Sequence, residues 1–383
     1  MSIDIMGALS AFGGGLASYI VPFLFVLTIV VFFHELGHFL VARWCGIKVL
    51  AFSIGFGPEI LGFYDRYGTR WKIAAVPLGG YVKFFGDDNA ASVPDLAAAA
   101  QMTEEEKRDS FIYKPVGSRA AVVAAGPVAN FILAIVIFAA IFMVMGKQTT
   151  TARVDTVQPG SAAQAAGFQP GDLVLAINGQ AIESFSDMQR IVSISAGEPL
   201  EIKVERGGIP VMLKAVPELK ELKDRFGNKQ RLGVLGISRS MAPGDIKTER
   251  LGPVDAVVAS VDYTWFVVSR TFSYIGGVFS GREAADQLGG PIRIAQVSGQ
   301  VATAGFTALM DLTGVLSVSI GLLNLFPIPL LDGGHLLFYA IEAIRGRPLS
   351  ERAQEVGFRI GLAIVVMLMI FATFNDILHL ATS

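Results

Sequence analysis

The sequence predicts a polytopic α-helical membrane protein of about four transmembrane helices, with a membrane-associated β-hairpin or sheet and one inserted soluble α+β domain. Three observations carry this. Of 383 residues, 52% are hydrophobic and only 17% charged, too apolar for a soluble enzyme of this length. Apolar runs recur near 19–42, 120–145, 305–323 and 358–378, each close to the length that crosses a hydrocarbon core. Between them, at 44–86 and 150–217, the chain changes to short β-type runs punctuated by Gly and Pro.

Residues 1–43 hold the first span, with Pro22 near its start, where a proline is tolerated. Asp4 is present and no Lys or Arg precedes Arg43, so the basic start of a cleaved signal peptide is missing and the span is expected to be retained. Inside it lies Phe-His-Glu-Leu-Gly-His-Phe, residues 33–39. Helical spacing puts His34 and His38 on one face, so both imidazoles can bind one Zn²⁺. Glu35 follows directly and can reach a metal-bound water as general base. Ionisable groups at bilayer depth are expensive, which favours function over two satisfied structural histidines. The single cysteine, Cys45, excludes an intrachain disulfide framework and a Cys-based zinc site.

Residues 44–118 read as short strands with tight turns, among them Trp71–Val76 and Tyr81–Phe85, followed by a polar connector or short solvated helix around Glu104–Arg108. The Leu78-Gly79-Gly80 corner reads as a hairpin tip. Residues 119–146 form the second span, where Gly126-Pro127 is expected to break the helix and small residues permit close packing. Asn130 is open to two readings, an interhelical hydrogen-bonding residue or a neighbour of the active site.

Residues 150–217 read as strand, turn, short helix, turn, strand, then a helix at 187–195 and a strand at 200–206. Gly171–Gly179 resembles the Gly-Asp-x-Val-x-x-Ile-Asn-Gly stretch of bacterial protease PDZ domains, which capture peptide ends by adding a strand to a sheet edge. A plain spacer domain is the alternative. Residues 218–304 are expected to be linker and interfacial helices. Val257–Phe279 is apolar enough for a span, but Asp255, Asp262 and Arg270 fall on one side of a helical wheel, as on an interfacial amphipathic helix. Residues 305–345 form a third span interrupted by Asn324-Leu325-Phe326-Pro327-Ile328-Pro329, and 346–383 hold a cytoplasmic link and the fourth.

Residues 43–119 hold ten Lys/Arg, Arg43 and Arg119 included, and Arg345, Arg347, Arg352 and Arg359 precede the last span or stand at its start. The positive-inside rule puts both segments in the cytoplasm and both termini, with the PDZ-like domain, on the outer side of the membrane. The net charge of −2 and the lack of a Lys/Arg run give no reason to expect nucleic acid.

A catalytic zinc usually takes three protein ligands and keeps one position open. Asp332 is the only carboxylate between Asp311 and Glu342, and Gly333-Gly334 would let its backbone approach a neighbouring helix. His335 competes with it for the third place.

His34-Glu35-x-x-His38 in an early span and Asn324-x-x-Pro327-x-Pro329-x-x-Asp332-Gly333-Gly334 in a late one together resemble the site-2 protease family of intramembrane zinc metalloproteases. Gly55–Pro58, Pro77–Lys83 and Ala125–Phe131 resemble its bacterial regulator-of-sigma-E branch. The resemblance implies zinc held by His34, His38 and Asp332, Glu35 as catalytic base, and Asn324 near the reacting peptide. It implies substrate contact from Pro327 and, in a hairpin over 70–85, from Gly79, Gly80 and Tyr81. It also implies a place in the bacterial inner membrane and single-span substrates in the bilayer, such as an anti-sigma factor or signal-peptide remnants. Well-known members of that branch carry two PDZ domains, whereas 218–250 is too short for a second.

Overall fold

The computed structural model describes residues 5–86, 102–223, 229–239, 247–280 and 289–382. Part of the expected polar connector, 87–101, and part of the 218–304 linker lie outside the described residues. Among the described residues, four helices are long and apolar enough to cross a membrane, at Gly15–Trp44, Val116–Val144, Phe306–Asn324 and Arg352–Leu378. The chain divides into two units, Met1–Ile137 with Leu288–Ser383, and Phe138–Gln287.

The first unit opens with α1 (Ile5–Trp44), which begins earlier than the predicted span and runs unbroken through Pro22. Two long strands follow, β1 (Val49–Tyr64) and β2 (Arg70–Phe84). Each bends, so that four segments lie side by side. Val49–Ile54 pairs antiparallel with Gly80–Phe84, while Ala51–Ile54 also matches Arg70–Ile73 with both numbers rising; Phe56–Tyr64 pairs antiparallel with Arg70–Val76. The order across the sheet is therefore 80–84, 49–54, 70–73, 59–64, with 80–84 at one edge. Two long, bent strands stand where short ones are expected, and Leu78-Gly79-Gly80 is not a hairpin tip. It is a corner joining two segments that have 49–54 between them. The tight turn lies at Asp65–Thr69, where Asp65 accepts from the Tyr67 and Thr69 amides at 2.9 and 3.0 Å.

The sheet is fastened to α1 by aromatic packing and by charge. Phe39, Phe52 and Trp71 pack on one another, with Phe52 and Trp71 stacked at 4.3 Å. Arg43, at the end of α1, pairs with Asp65 and lies over the Phe39 and Tyr67 rings. Trp71 Nε1 donates to the same carboxylate at 3.1 Å. Partial burial disfavours the charge on Asp65, but these donors outweigh it and hold the carboxyl at about 2. Phe39, Phe52, Val82, Phe84, Phe111 and Val122 join α1, the sheet and the following helices in one buried cluster.

After α2 (Glu104–Asp109), whose N-terminus carries a Thr103/Glu106 capping box, comes α3 (Val116–Val144). It continues through Pro127 rather than breaking at Gly126-Pro127. One lost helical hydrogen bond is tolerated where neighbouring helices cover the bend, and Gly321 packs against the Pro127 carbonyl.

The second unit holds the β-rich domain. Its strands are β3 (Lys147–Thr149), β4 (Thr156–Val157), β5 (Leu173–Ile177), β6 (Gln180–Ala181), β7 (Leu200–Arg206) and β8 (Ile209–Ala215). The short α4 (Ala162–Ala165) precedes β5 and α5 (Phe185–Ile194) precedes β7. The main sheet has the order β6-β5-β7-β8, and its inner face packs with Phe168, Met188 and Val192. The domain does not end at 217. After β9 (Glu218–Lys223) and β10 (Lys229–Val234), Leu235 enters its core and β11 (Ile237–Ser238) pairs with β4. β12 (Lys247–Glu249) then pairs with β3, and α6 (Pro253–Phe279) follows. Asp255 and Asp262 on α6 are exposed, and so are Val254, Val258 and Trp265.

The chain returns to the first unit with α7 (Pro291–Ala302), α8 (Phe306–Asn324), α9 (Asp332–Arg345) and α10 (Glu351–Thr382). Asp376 of α10 is buried and accepts from the Gly290, Ile292 and Arg293 amides at 2.8–3.1 Å, capping α7. The interruption between α8 and α9 is as predicted. Gly333 and Gly334, however, make room for the carbonyls of Leu325, Phe326 and Ile328 in the chain's own link, not for a neighbouring helix.

Candidate metal centre

α1 presents His34 and His38 one turn apart with rings at 4.8 Å, and their Nε2 atoms stand 3.2 Å from each other. Asp332, the first residue of α9, brings Oδ2 to 3.1 Å from His34 Nε2 and 3.5 Å from His38 Nε2. All three side chains are largely buried, at 11–17% exposure. Despite this closeness, Asp332 Oδ2 makes no hydrogen bond among the described residues. Two nitrogens and a carboxylate oxygen thus converge on one point, a donor set that suits a zinc ion. His335, the competing candidate, packs instead against Phe358 with ring centroids at 5.4 Å.

Each imidazole is oriented from α3. His38 Nδ1 lies 2.8 Å from the Val122 carbonyl. A carbonyl only accepts, so Nδ1 carries the hydrogen and Nε2 turns a lone pair inward. His34 Nδ1 lies 3.2 Å from the carboxamide nitrogen of Asn130, which is fully buried. Of the two readings open for Asn130, the structure gives contact with the cluster. Gly126 makes room for both rings. A Cβ there would stand 2.9 Å from His34 Cε1 and closer still to His38 Nε2. In the sequence this glycine, beside Pro127, reads as a helix break. The signal that could have found its role is the small-residue run beside it, the mark of close approach between membrane helices.

Glu35 lies on the sheet side of the cluster. A Cβ on Gly80 would stand 3.2 Å from Glu35 Cγ and 2.7 Å from the Ser53 carbonyl. Gly80 is therefore a point where edge segment 80–84 passes directly beside the glutamate. Gly79 tucks against the Phe56 ring, and Tyr81 stacks on that ring at 6.1 Å. Asn324 closes α8, and Pro327 is exposed in the link to α9. Among the described residues neither hydrogen-bonds to the cluster. Leu330, just before Asp332, sits at φ 111°, a strained conformation for a branched side chain.

A helical membrane protein with a buried His-His-Asp cluster and an adjacent glutamate belongs to the class of membrane metallohydrolases. The model of peptidase family M50 matches residues 22–368, and the chain belongs to that family. It is 52% identical over 372 residues to a protein of Agrobacterium fabrum that carries a provisional zinc metalloprotease name, covering 97% of this chain and 99% of that one. To the regulator of sigma-E protease RseP of Escherichia coli it is 32% identical, covering 94% of this chain and 98% of that one. Among solved structures, the PDZ domain of HtrA3 bound to a phage-derived ligand aligns at 25% identity over 20% of this chain and 83% of that one, with a TM-score of 0.17.

Proposed function

We propose that this protein is a zinc-dependent intramembrane endopeptidase that cleaves transmembrane segments of single-span membrane proteins. His34, His38 and Asp332 are its metal ligands and Glu35 its catalytic base. The observation that carries the reading is the convergence of His34 Nε2, His38 Nε2 and the unbonded Asp332 Oδ2 beside Glu35. Zinc in such a site supplies Lewis acidity, lowering the pKa of a water to about 7 and polarising a carbonyl.

The chain's own residues do the rest. Glu35 takes a proton from the attacking water as oxygen bonds to the peptide carbon, and returns it to the departing amide nitrogen as the C–N bond breaks. A transmembrane substrate must first unwind, which strips its backbone of hydrogen bonds. Segment 80–84, at the sheet edge and in contact with Glu35, can replace them by taking the unwound stretch as an added strand. Gly79, Gly80 and Tyr81 contact substrate there, and Asn324 and Pro327 flank it from the α8–α9 link.

The bacterial relatives support a place in the inner membrane, and there the positive-inside rule sets the termini and the PDZ-like domain in the periplasm. Arg43 follows His38 by little more than one turn, so the cut falls near the cytoplasmic face. A sigma-regulating relative supports an anti-sigma factor as substrate, with signal-peptide remnants as a second class. The test is Glu35→Gln. Purified protein should keep zinc and lose cleavage of a single-span reporter in detergent, and surviving cleavage removes Glu35 from the role.

A further inference from the structure

Asn130 is 0% exposed, yet its side chain is not spent on the helix contact that buries it. Its backbone carbonyl accepts from Ser317 Oγ at 2.8 Å, and a Cβ on Gly321 would come within 3.0 Å of Asn130 Cβ. α8 thus pins the residue by its backbone and leaves the carboxamide free to face His34. The carboxamide meets His34 Nδ1 at 3.2 Å, and its oxygen has no hydrogen-bond partner among the described residues.

The opposite imidazole shows what the arrangement requires. His38 gives its Nδ1 hydrogen to Val122, and this leaves Nε2 as a lone-pair donor toward Asp332. His34 Nε2 points at the same oxygen, so its Nδ1 must also carry the hydrogen and needs an acceptor. The two ends of a carboxamide exchange by a half-turn about Cβ–Cγ, and the oxygen of Asn130 is the end with nothing else to serve.

We infer that Asn130 is a positioning residue for His34: its carboxamide oxygen accepts the Nδ1 hydrogen and holds the imidazole in the tautomer and orientation that turn Nε2 toward His38 and Asp332. This rests on the ligand assignment proposed above. The role needs an acceptor at position 130, not a donor, which separates it from simple packing. Asn130→Leu keeps the volume and removes the acceptor. Asn130→Asp keeps the acceptor and removes the donor.

The experiment measures zinc affinity of the full-length protein in detergent by competition with a chelator, alongside the visible spectrum of the Co²⁺-loaded form. His34→Ala and Asn130→Ala are measured in parallel. Loss of an outer partner of a ligating histidine typically costs about 10- to 100-fold in metal affinity. Asn130→Leu should therefore weaken zinc binding by about tenfold or more and alter the Co²⁺ bands, whereas Asn130→Asp should stay within about threefold of wild type. Wild-type affinity in Asn130→Leu overturns the inference, and so does an Asn130→Asp as weak as Asn130→Leu. If His34→Ala binds zinc as tightly as wild type, the ligand assignment itself has failed and the inference falls with it. Should Asn130→Leu not fold, the comparison of Asn130→Ala with Asn130→Asp makes the same distinction.

Discussion

Gly126→Ala puts a single methyl group into the metal centre and serves as a sensitive probe of it. The added carbon would lie 2.9 Å from His34 Cε1 and closer to His38 Nε2 and Cε1, where ordinary contact begins near 3.4 Å. His34 must then retreat by about 0.5 Å and His38 by more, whereas zinc–ligand distances tolerate only about 0.2 Å. His38 cannot retreat without loosening its 2.8 Å bond to Val122. A misplacement approaching 1 Å costs about 100-fold in rate, so cleavage should fall by at least that factor and zinc affinity with it. Stability should change far less. Overpacking costs about 1–3 kcal/mol, and alanine in place of glycine returns about 1 kcal/mol of helix propensity. Cleavage of a single-span reporter, metal content and thermal unfolding are measured together. Gly117→Ala is the control, because a Cβ on Gly117 meets nothing within 4 Å. If Gly126→Ala retains full zinc and cleaves within about threefold of wild type, the packing argument for the centre is wrong.

Two further outcomes follow from the contacts that hold the centre in place. Arg119 of α3 pairs with Glu342 of α9 at 2.6 Å and lies over Tyr339, with both charged side chains at 13–14% exposure. Glu342→Leu strands the guanidinium and should cost about 3 kcal/mol in thermal or denaturant unfolding, most of it recovered by adding Arg119→Met. Because Asp65 is held at about 2, below its ordinary value of 3.8, the sheet's attachment to α1 is fully present above about pH 4. It weakens as pH falls through 2. In a Trp44→Phe, Trp265→Phe background, Trp71 fluorescence should report that transition, and Asp65→Asn should lack it.

The parts of this molecule legible in its sequence are those whose physics is local. Histidines four residues apart share a helix face wherever the helix goes, so His34, Glu35 and His38 could be placed together from spacing alone. Four apolar runs of sufficient length became four helices for the same reason. Asp332 is a different case. Nothing between residues 38 and 332 says that α9 begins beside α1, and a lone carboxylate in an apolar stretch leaves open which neighbour it serves. Its position depends on a strained link at Leu330, on glycines that admit the link's own carbonyls, and on the Arg119–Glu342 pair that ties α9 itself to α3.

Gly126 and Gly80 are harder still, because the signal of each is the absence of a side chain. In sequence an intrahelical glycine beside a proline reads as a break, and a Gly-Gly pair between β-type runs reads as a turn. In the fold one is the space two imidazoles occupy, and the other brings a sheet edge against Glu35. The domain boundary expected at 217 moves by the same logic, since what returns 237–238 to the β-rich domain is pairing with Thr156 and Val157, far away along the chain. Chemistry-bearing residues are therefore readable from type and spacing, while the residues that bring them together are small, silent or distant. That is why substitutions at Gly126 and Asn130 test the centre more severely than substitutions of its ligands. Removing a ligand must abolish any metal site, but one methyl at Gly126 or one lost acceptor at Asn130 matters only if the helices meet as described.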